Sequence, residues 1–202
     1  MSDSTPVYLL IGGAGGQGTA LTRRLRDRGA TVIAASRDEG RLKSYASETG
    51  ADTRVCDATD FGAIEELVKS VVEEHGALNG AVNMAGSILI KPAHMVTPDE
   101  YDETMNLNVK TAFGLVRAAG KHMSKAKHGS IVLISSCAAR TGLVSHEAIA
   151  AAKGAVIGLT QSAAASLAPA GVRVNCVAPG LVDTPMAERL TKSDQARQAS
   201  EA

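Results

Sequence analysis

The sequence predicts a single α/β domain in which a doubly wound parallel sheet lies between two layers of helices, a three-layer α/β/α arrangement. Two observations lead to this fold class. The chain has 202 residues, of which 45% are hydrophobic, so it can bury one core but is short for two domains. Short β-branched or aliphatic runs alternate along it with longer segments of helical period. Such alternation builds a parallel sheet with right-handed crossovers and helices on both faces.

The predicted elements follow in a regular order from the N-terminus. Strands are predicted at residues 7–11, 31–35, 53–56, 80–83, 130–134 and 172–177. Helices are predicted from near Gly16 onward and at residues 39–48, 60–75, 98–125 and 147–167. We therefore expect one domain over residues 1–186, followed at 187–202 by a polar tail or surface helix.

Charge and cysteine usage argue against several classes of protein. The 21 basic and 21 acidic side chains balance to a formal net charge of +0, which provides no basic field for nucleic acid or an anionic membrane. The N-terminus has no basic segment ahead of its apolar stretch, and glycines interrupt that stretch after a few residues, so we expect neither a signal peptide nor a membrane span. Cys56, Cys137 and Cys176 lack the close pairing of zinc sites, which predicts no metal site and a reduced, cytoplasmic protein with buried thiols.

A glycine-rich loop, Ile-Gly-Gly-Ala-Gly-Gly-Gln-Gly at residues 11–18, follows the first predicted strand and opens the first predicted helix. Glycines let the backbone approach a pyrophosphate, and the amides and dipole of a helix N-terminus favour its negative charge. Two registers fit: the general G-x-G-x-x-G pattern from residue 13, and a G-x-x-x-G-x-G spacing from residue 12. A tight turn without a ligand is the alternative. The loop predicts a dinucleotide site of Rossmann type, with Gly12, Gly16, Gln17 and Gly18 as binding residues.

The end of the second predicted strand indicates which dinucleotide is bound. An acidic side chain there would accept hydrogen bonds from the ribose 2′-hydroxyl, whereas a basic one would neutralise a 2′-phosphate. Ser36 and Arg37 occupy this place, so the sequence favours NADP(H) over NAD(H), because a guanidinium can pair with the phosphate. Asp38 and Glu39 leave open that a rotated loop presents a carboxylate instead.

Ordered motifs in the second half of the chain resemble those of the short-chain dehydrogenase/reductase family. The resemblance extends from Val7 to about Met186 and includes Asn-Met-Ala-Gly at residues 83–86, which is similar to the family's N-N-A-G segment. Asn108 resembles the asparagine that interrupts a helix and relays protons through water. Ser136 resembles the serine that holds the substrate oxygen, and Lys153 the lysine that binds the nicotinamide ribose. The other cofactor-binding positions that the resemblance implies are Asp57, Ala58, Asn83, Gly86, Pro179, Gly180 and Thr184.

Ile149 departs from the pattern of this family. Four positions before the lysine the family has a tyrosine, whose phenol donates a proton to the developing alkoxide, and isoleucine has no proton to exchange. His146 lies three positions before Ile149 and seven before Lys153, a spacing that places all three on roughly one helix face. We hypothesise that His146 replaces the tyrosine, with Glu147 as a weaker candidate. A solvated first-turn histidine is the alternative.

The resemblance implies an NAD(P)(H)-dependent oxidoreductase that interconverts a carbonyl and a secondary alcohol, here with an altered proton relay. It also implies a small-molecule carbonyl or alcohol substrate and a homodimer or homotetramer packed through the helices at 98–125 and 147–167. Ile149 leaves open a nucleotide-binding pseudoenzyme with a regulatory or oligomer-partner role. Family members continue with substrate-loop helices and a seventh strand, so either the sequence is truncated or a partner covers its sixth strand at the sheet edge.

Overall fold

A computed structural model describes residues 5–185 and Ala187. The strands are β1 (Val7–Ile11), β2 (Thr31–Ser36), β3 (Asp52–Val55), β4 (Gly80–Asn83), β5 (Gly129–Ile134) and β6 (Val172–Val177). The α-helices are α1 (Gly16–Arg26), α2 (Glu39–Thr49), α3 (Phe61–His75), α4 (Pro98–Met105), α5 (Thr111–Ala126) and α6 (Glu147–Leu167). A π-helical turn at Asn106–Lys110 joins α4 to α5, and 3-10 turns lie at Ala93–Met95, Cys137–Ala139 and Ala168–Ala170.

The six strands form one parallel sheet in the order β3-β2-β1-β4-β5-β6. The strand order reverses beside β1, which pairs with β2 on one side and β4 on the other. In doubly wound sheets, ligands bind in the crevice at the carboxyl ends of the strands at this point. The predicted Rossmann-type fold is confirmed, and β6 lies at an edge of the sheet as expected.

The larger apolar cluster lies between the sheet and the helices α3, α5 and α6. Leu9 and Ile131 of the sheet meet Val68, Leu115 and Val156 of these helices, and all five side chains are completely buried. Removing this aliphatic surface from water supplies the main favourable free energy of such a layer. The cluster fixes α6 against β5 and β6, and α6 carries Lys153.

The opposite face of the sheet is covered by α1 and α2 over β1 and β2. Leu10 and Val32 are buried there against Tyr45 of α2. The Tyr45 hydroxyl shares a hydrogen bond with that of Thr22, which is completely buried on α1. This contact ties the two helices to each other as well as to the sheet, which gives the N-terminus of α1 a fixed position above β1.

Next to α1, the face of the sheet that α1 and α2 cover also has an apolar groove, with a volume of about 400 Å³. Tyr8, Leu21, Val82, Val132 and Ile134 are among the residues that line it. The side chains of β5 and β6 alternate between buried and more exposed positions. β4 is therefore buried along its whole length and β2 at its four central residues, whereas β3, β5 and β6 are not buried continuously.

Several predicted elements differ from the structure by one residue at an end, as at β2, α2 and β5, and the differences at one strand and two helices have clear reasons or consequences. The helix predicted at residues 98–125 is interrupted by the π-helical turn at Asn106–Lys110, a local widening that is frequent at functional sites. The helix predicted from residue 60 begins at Phe61, because Asp60 is its N-cap. The strand predicted at residues 53–56 occupies Asp52–Val55.

Two of the three thiols differ from expectation, and the predicted tail is almost wholly outside the described residues. Cys56 is buried as expected, whereas Cys137 and Cys176 are only half-buried, and all three are free thiols. Met186 and residues 188–202 lie outside the described residues, so nearly all of the predicted tail does too.

One described helix, α6 together with the turn that follows it, is long and apolar enough to cross a membrane by length and composition alone. In this structure the helix packs on β5, β6 and α5. It contributes Val156 and Ala163 to the larger apolar cluster, so part of its apolar surface belongs to the core.

Candidate active site

The loops at the carboxyl ends of the strands carry most of the site residues predicted from sequence. After β1 come Gly12, Gly16, Gln17 and Gly18; after β2 comes Arg37; and after β3 come Asp57 and Ala58. Asn83 is the last residue of β4 and Gly86 follows that strand. After β5 comes Ser136, and after β6 come Pro179, Gly180 and Thr184. Asn108 lies in the π-helical turn and Lys153 on α6. One edge of the sheet therefore gathers side chains that are far apart in the sequence.

Two glycines in the loop after β1 are required by the close approach of backbone segments. Gly12 has a φ of +71°, and a Cβ there would lie 2.5 Å from the backbone nitrogen of Ala85. A Cβ on Gly18 would overlap the carbonyl oxygen of Gly13. A Cβ on Gly15, by contrast, would have the Gly12 oxygen at 3.9 Å as its nearest neighbour. The space next to Gly15 is therefore not filled by other parts of the described chain.

The N-terminus of α1 differs from those of the next three helices. Asp38, Asp60 and Thr97 cap α2, α3 and α4 by accepting hydrogen bonds from first-turn backbone amides. Gly15, the N-cap of α1, has no side chain with which to do so. The first-turn amides of α1 are left for another acceptor, and the helix dipole favours an anion there. The loop therefore fits the pyrophosphate of a dinucleotide.

The loop after β6 reaches both the glycine loop and the turn after β5. A Cβ on Gly16 would lie 3.1 Å from Cγ2 of Thr184. The carbonyl oxygen of Pro179 accepts a 2.9 Å hydrogen bond from the backbone amide of Cys137. Ser136, one residue earlier, accepts a hydrogen bond from the Ala138 amide through Oγ at 3.2 Å. These contacts bring predicted residues from three loops to the same side of the site.

Arg37 is exposed at the carboxyl end of β2, and its acidic neighbours already have partners. Asp38 accepts a 2.9 Å hydrogen bond from the Arg41 amide as the N-cap of α2. Glu39 Oε1 lies 3.0 Å from Nζ of Lys43. Both carboxylates thus have partners within α2, and Arg37 is the exposed basic side chain directly after β2.

Asp57 lies near Arg37, in the turn that follows β3. Its Oδ1 accepts hydrogen bonds from the Thr59 amide at 2.9 Å and from the Thr59 hydroxyl at 2.8 Å. These two hydrogen bonds hold the pKa of the Asp57 carboxyl below its ordinary value, and the positive charges of Arg37 and Lys110 act in the same direction. The carboxylate is therefore ionised and oriented at neutral pH.

Asn108 is held in place by a network between the π-helical turn and the loop after β4. Its Nδ2 donates to the Thr104 carbonyl oxygen at 2.9 Å and to Oγ of Ser87 at 3.2 Å. Its Oδ1 accepts from the Ser87 amide at 3.3 Å. Gly86 is essential to this arrangement, because a Cβ there would lie 2.6 Å from Asn108 Oδ1. The amide of Asn108 is thus fixed in a single orientation at 1% exposure.

Lys153 also lies close to Gly86. Its Nζ would lie 3.4 Å from a Cβ on Gly86, so Gly86, Asn108 and Lys153 form one cluster. Nζ donates a 2.9 Å hydrogen bond to the carbonyl oxygen of Ile134, and Oγ of Ser135 donates to the Lys153 carbonyl oxygen at 2.8 Å. Burial lowers the pKa of Lys153 from 10.5 to about 8, because the low-dielectric surroundings disfavour the charged ammonium.

Asn83, at the end of β4, supports the same region. Its Nδ2 donates to Oγ1 of Thr111 at 3.1 Å, and that hydroxyl donates to the Leu107 carbonyl oxygen at 2.8 Å. Among the described residues its buried Oδ1 has no hydrogen-bond partner. A buried acceptor without a partner indicates a place for a water or a ligand donor.

Ile149 and His146 occupy different environments at the start of α6. Ile149 is 4% exposed and lies one helical turn before Lys153. His146 precedes the helix as its N-cap, with φ −108° and ψ 15°, and its Nδ1 lies 2.7 Å from the carbonyl oxygen of Val144. The helix face predicted for His146, Ile149 and Lys153 is therefore wrong at His146, because that residue stands outside the helix and its ring contacts the preceding loop.

The match to a known family decides the class of protein. Residues 6–195 match the model of the short chain dehydrogenase family. The chain belongs to this family. Among its curated relatives, 3-oxoacyl-(acyl-carrier-protein) reductase of Thermotoga maritima is 35% identical over 189 residues, which are 91% of this chain and 77% of the relative. Galactitol 2-dehydrogenase of Agrobacterium fabrum is 33% identical over 180 residues, 88% of this chain and 70% of the relative.

Solved structures of other family members have the same architecture. A variant of actinorhodin polyketide ketoreductase with NADPH has a TM-score of 0.89 at 30% identity, and the match covers 96% of this chain and 80% of the ketoreductase. NAD⁺-bound xylitol dehydrogenase has a TM-score of 0.82 at 29% identity, with 89% and 71% covered. The two structures contain different nicotinamide dinucleotides, so family membership alone does not choose between NADP(H) and NAD(H).

Sequence reasoning missed several side chains that support the site of this short-chain dehydrogenase. Ser87 holds both ends of the Asn108 amide, Thr111 holds Asn83, and Ser135 anchors the backbone at Lys153. Ser87 and Ser135 adjoin the motif residues Gly86 and Ser136, and that proximity is the signal that could have found them. Thr111 lies 28 residues from Asn83, so only the fold reveals this pair.

Proposed function

We propose that this short-chain dehydrogenase is an NAD(P)(H)-dependent oxidoreductase that interconverts a carbonyl and a secondary alcohol, with an altered proton relay. The observation that carries the proposal is the cluster of Gly86, Asn108 and Lys153. A Cβ on Gly86 would lie 2.6 Å from Asn108 Oδ1 and 3.4 Å from Lys153 Nζ. A cluster fitted this closely at the carboxyl edge, beside an uncapped helix N-terminus, suits a bound nicotinamide nucleotide. The relatives named as reductase and dehydrogenase support the reaction class.

Within this proposal, the described side chains have separate roles. The glycine loop and the first turn of α1 hold the pyrophosphate, and Asp57, Ala58 and Arg37 surround the adenosine. Asn83, Gly86, Pro179, Gly180 and Thr184 complete the nicotinamide side, and Ser136 holds the substrate oxygen. The nicotinamide, when bound, supplies or accepts the hydride. A small carbonyl or alcohol compound is the substrate.

NADP(H) is the preferred cofactor in this proposal. Arg37 is exposed at the carboxyl end of β2, and Asp38 and Glu39 are both engaged with cations or amides of α2. A carboxylate at this place would repel a 2′-phosphate, whereas the guanidinium pairs with it. Arg37→Glu should therefore weaken NADPH binding by about tenfold or more, equal to about 1.4 kcal/mol, and leave NADH binding within a few-fold. Equal losses for both nucleotides in a fluorescence titration would contradict the preference.

The first test of the function is nucleotide titration followed by a panel of carbonyl compounds. Nicotinamide fluorescence measures the affinity for NADPH and NADH, and loss of the reduced cofactor on adding each carbonyl measures turnover. Binding with oxidation supports the enzyme. Failure to bind either nucleotide would refute the site assignment itself.

Binding without oxidation would favour the second candidate, a nucleotide-binding pseudoenzyme with a regulatory or oligomer-partner role. The observation that favours this candidate is Ile149, which is 4% exposed and places a hydrocarbon side chain where the family has its proton donor. General acid catalysis is worth on the order of a hundred- to ten-thousand-fold in rate, so its complete loss would leave a binding protein.

A further inference from the structure

The reaction proposed above needs a proton at the carbonyl oxygen, and the described site offers few groups that can supply one. Ile149 has no exchangeable proton. Ser87, Asn108 and Ser136 carry hydroxyl and amide groups, which donate hydrogen bonds but do not release protons readily near neutral pH. Lys153 is the cationic acid in this cluster, with a side chain that is 8% exposed. The inference that follows rests on the proposed function, because it names the proton donor of that reaction.

The geometry around Nζ leaves part of the ammonium available. One of its three N–H bonds is directed to the Ile134 carbonyl oxygen at 2.9 Å. Among the described residues the Ile134 oxygen is the one acceptor of an Nζ hydrogen bond, so two N–H bonds remain for other partners. On another side Nζ lies close to Gly86, where a Cβ would come within 3.4 Å of Nζ and 2.6 Å of Asn108 Oδ1. In the described part of the chain, the titratable group whose charge acts on Lys153 is the Cys176 thiol on β6, and no described carboxylate neutralises the ammonium.

We propose that the ammonium of Lys153 itself donates the proton to the carbonyl oxygen, in place of the missing phenol. As the hydride adds to the carbonyl carbon, one N–H bond of Lys153 breaks and an O–H bond forms on the oxygen. The product is a secondary alcohol and a neutral amine, and solvent water returns a proton to the amine. In the oxidation direction the neutral amine accepts the hydroxyl proton. Ser136 holds the oxygen.

The environment of Lys153 suits this role. Burial brings the pKa of the ammonium to about 8, so the group is protonated at neutral pH and releases a proton far more readily than a solvated lysine. The most effective general acid has a pKa near the working pH.

The decisive variant is Lys153→Arg in the full chain. Arginine keeps the positive charge and hydrogen-bonding capacity, but its guanidinium stays protonated at every accessible pH and cannot cycle a proton. We expect kcat for carbonyl reduction to fall roughly a hundredfold or more. NADPH should still bind in a fluorescence titration with a smaller loss, because a guanidinium can also donate hydrogen bonds to the nicotinamide ribose. In the parent chain, reduction should decline and alcohol oxidation should rise as the pH passes through about 8.

A second variant separates loss of the proton donor from loss of folding. Adding Ile149→Tyr to the Lys153→Arg chain supplies a phenol next to a fixed positive charge, which favours the phenolate and restores an acid-base group. We expect this double variant to recover part of the lost turnover, with a changed pH profile. A misfolded Lys153→Arg chain would recover nothing and would also fail to bind NADPH.

Several outcomes would overturn the inference. Unchanged turnover and an unchanged pH profile in Lys153→Arg would show that another group donates the proton. Loss of turnover in His146→Ala while Lys153→Arg remains active would assign the proton to the imidazole. Nucleotide binding without turnover in the parent chain would refute the proposed function and this inference together, whereas turnover that survives Lys153→Arg refutes the inference alone.

Discussion

Among single residues, Lys153 shows how a functional group weakens the fold that contains it. The pKa of its ammonium falls from 10.5 to about 8 on burial, so below pH 8 the folded state bears the full cost of a desolvated charge. As the pH rises from about 8 to 10.5, the unfolded chain holds more protons at this lysine than the folded one. The free energy of unfolding therefore increases over this range, because the cost of the buried charge disappears. Above 10.5 the lysine is neutral in both states and the cost is gone.

Lys153→Met should therefore raise the free energy of unfolding at pH 7. A shift of this size corresponds to about 3 kcal/mol, from which the lost hydrogen bond to the Ile134 carbonyl subtracts about 1 kcal/mol. The advantage of the variant over the parent should shrink as the pH passes from 8 towards 10.5. Urea unfolding of both chains at pH 7 and pH 10 measures this difference. A methionine variant that is less stable at pH 7, or a difference independent of pH, would contradict the argument.

The residues of the site could be predicted where a local pattern defines their geometry. The glycine loop, Asn108, Ser136 and Lys153 all lie at the carboxyl edge, as their order in the sequence indicates. His146 was misplaced because its backbone is set by the preceding loop, where Ser145 has a φ of +61° and the Val144 carbonyl meets the imidazole. Helical periodicity carries no information about a residue one position before the helix begins.

At the scale of elements, α3 illustrates a helix that depends on its N-cap. Oδ1 of Asp60 accepts hydrogen bonds from the Gly62 amide at 2.7 Å and the Ala63 amide at 3.3 Å. The helix that this cap starts buries Ile64 and Val68 in the larger apolar cluster. The cap therefore contributes to the packing of α3 on the sheet as well as to the helix itself.

Asp60→Ala should lower the free energy of unfolding by about 1 kcal/mol, because two first-turn amides lose their acceptor. Asp60→Asn is the matched control, since asparagine is as good an N-cap and should stay within a few tenths of a kcal/mol of the parent. Urea denaturation followed by circular dichroism distinguishes the two variants. If both variants lose the same stability, the carboxylate charge rather than the cap is responsible.

Element positions could be predicted to within a residue or two, and the exceptions have physical reasons. An interruption of this helix could be expected only from the family resemblance of Asn108, because one extra residue in a turn leaves the helical appearance of the flanking segments unchanged. In the structure Asn108 lies in the π-helical turn and donates hydrogen bonds to Thr104 and Ser87. The half-exposed alternation in β5 and β6 was missed because their exposed-side residues include Val132, Ile134 and Val177, which are as apolar as core residues.

At the scale of the whole molecule, alternation and handedness predict a doubly wound parallel sheet but not the order of its strands. More than one order satisfies both rules, and the structure has β3-β2-β1-β4-β5-β6. What covers the apolar groove beyond α1 could not be predicted, because a continuous apolar strand pattern implies a cover without naming it. The oligomeric state was equally open, since helix surfaces rich in alanine fit a sheet and a second subunit equally well.

The exposed face of α6 favours contact with a second subunit as the role of its small residues. Small residues recur there at helical spacing, and the exposed ones include Ala151, Ala155, Gly158, Ser162 and Ala165. A Cβ on Gly158 would meet nothing within 4 Å, so this face is open in the single chain. Small side chains allow two helices to approach closely, and interaxial distances of packed helices depend on the residues at the contact.

Gly158→Arg should convert the predicted homodimer or homotetramer to a smaller species, because a long charged side chain would be trapped between helices without a partner. Gly40→Arg on α2 is the matched control, since it places the same side chain at another exposed helical glycine, where a Cβ would meet only Asp38 Oδ1 at 3.4 Å. Light scattering of the parent and both variants at equal concentration measures the mass. A parent chain that is already monomeric would refute the predicted assembly. An unchanged oligomer in Gly158→Arg would show that the subunit interface does not include this face of α6.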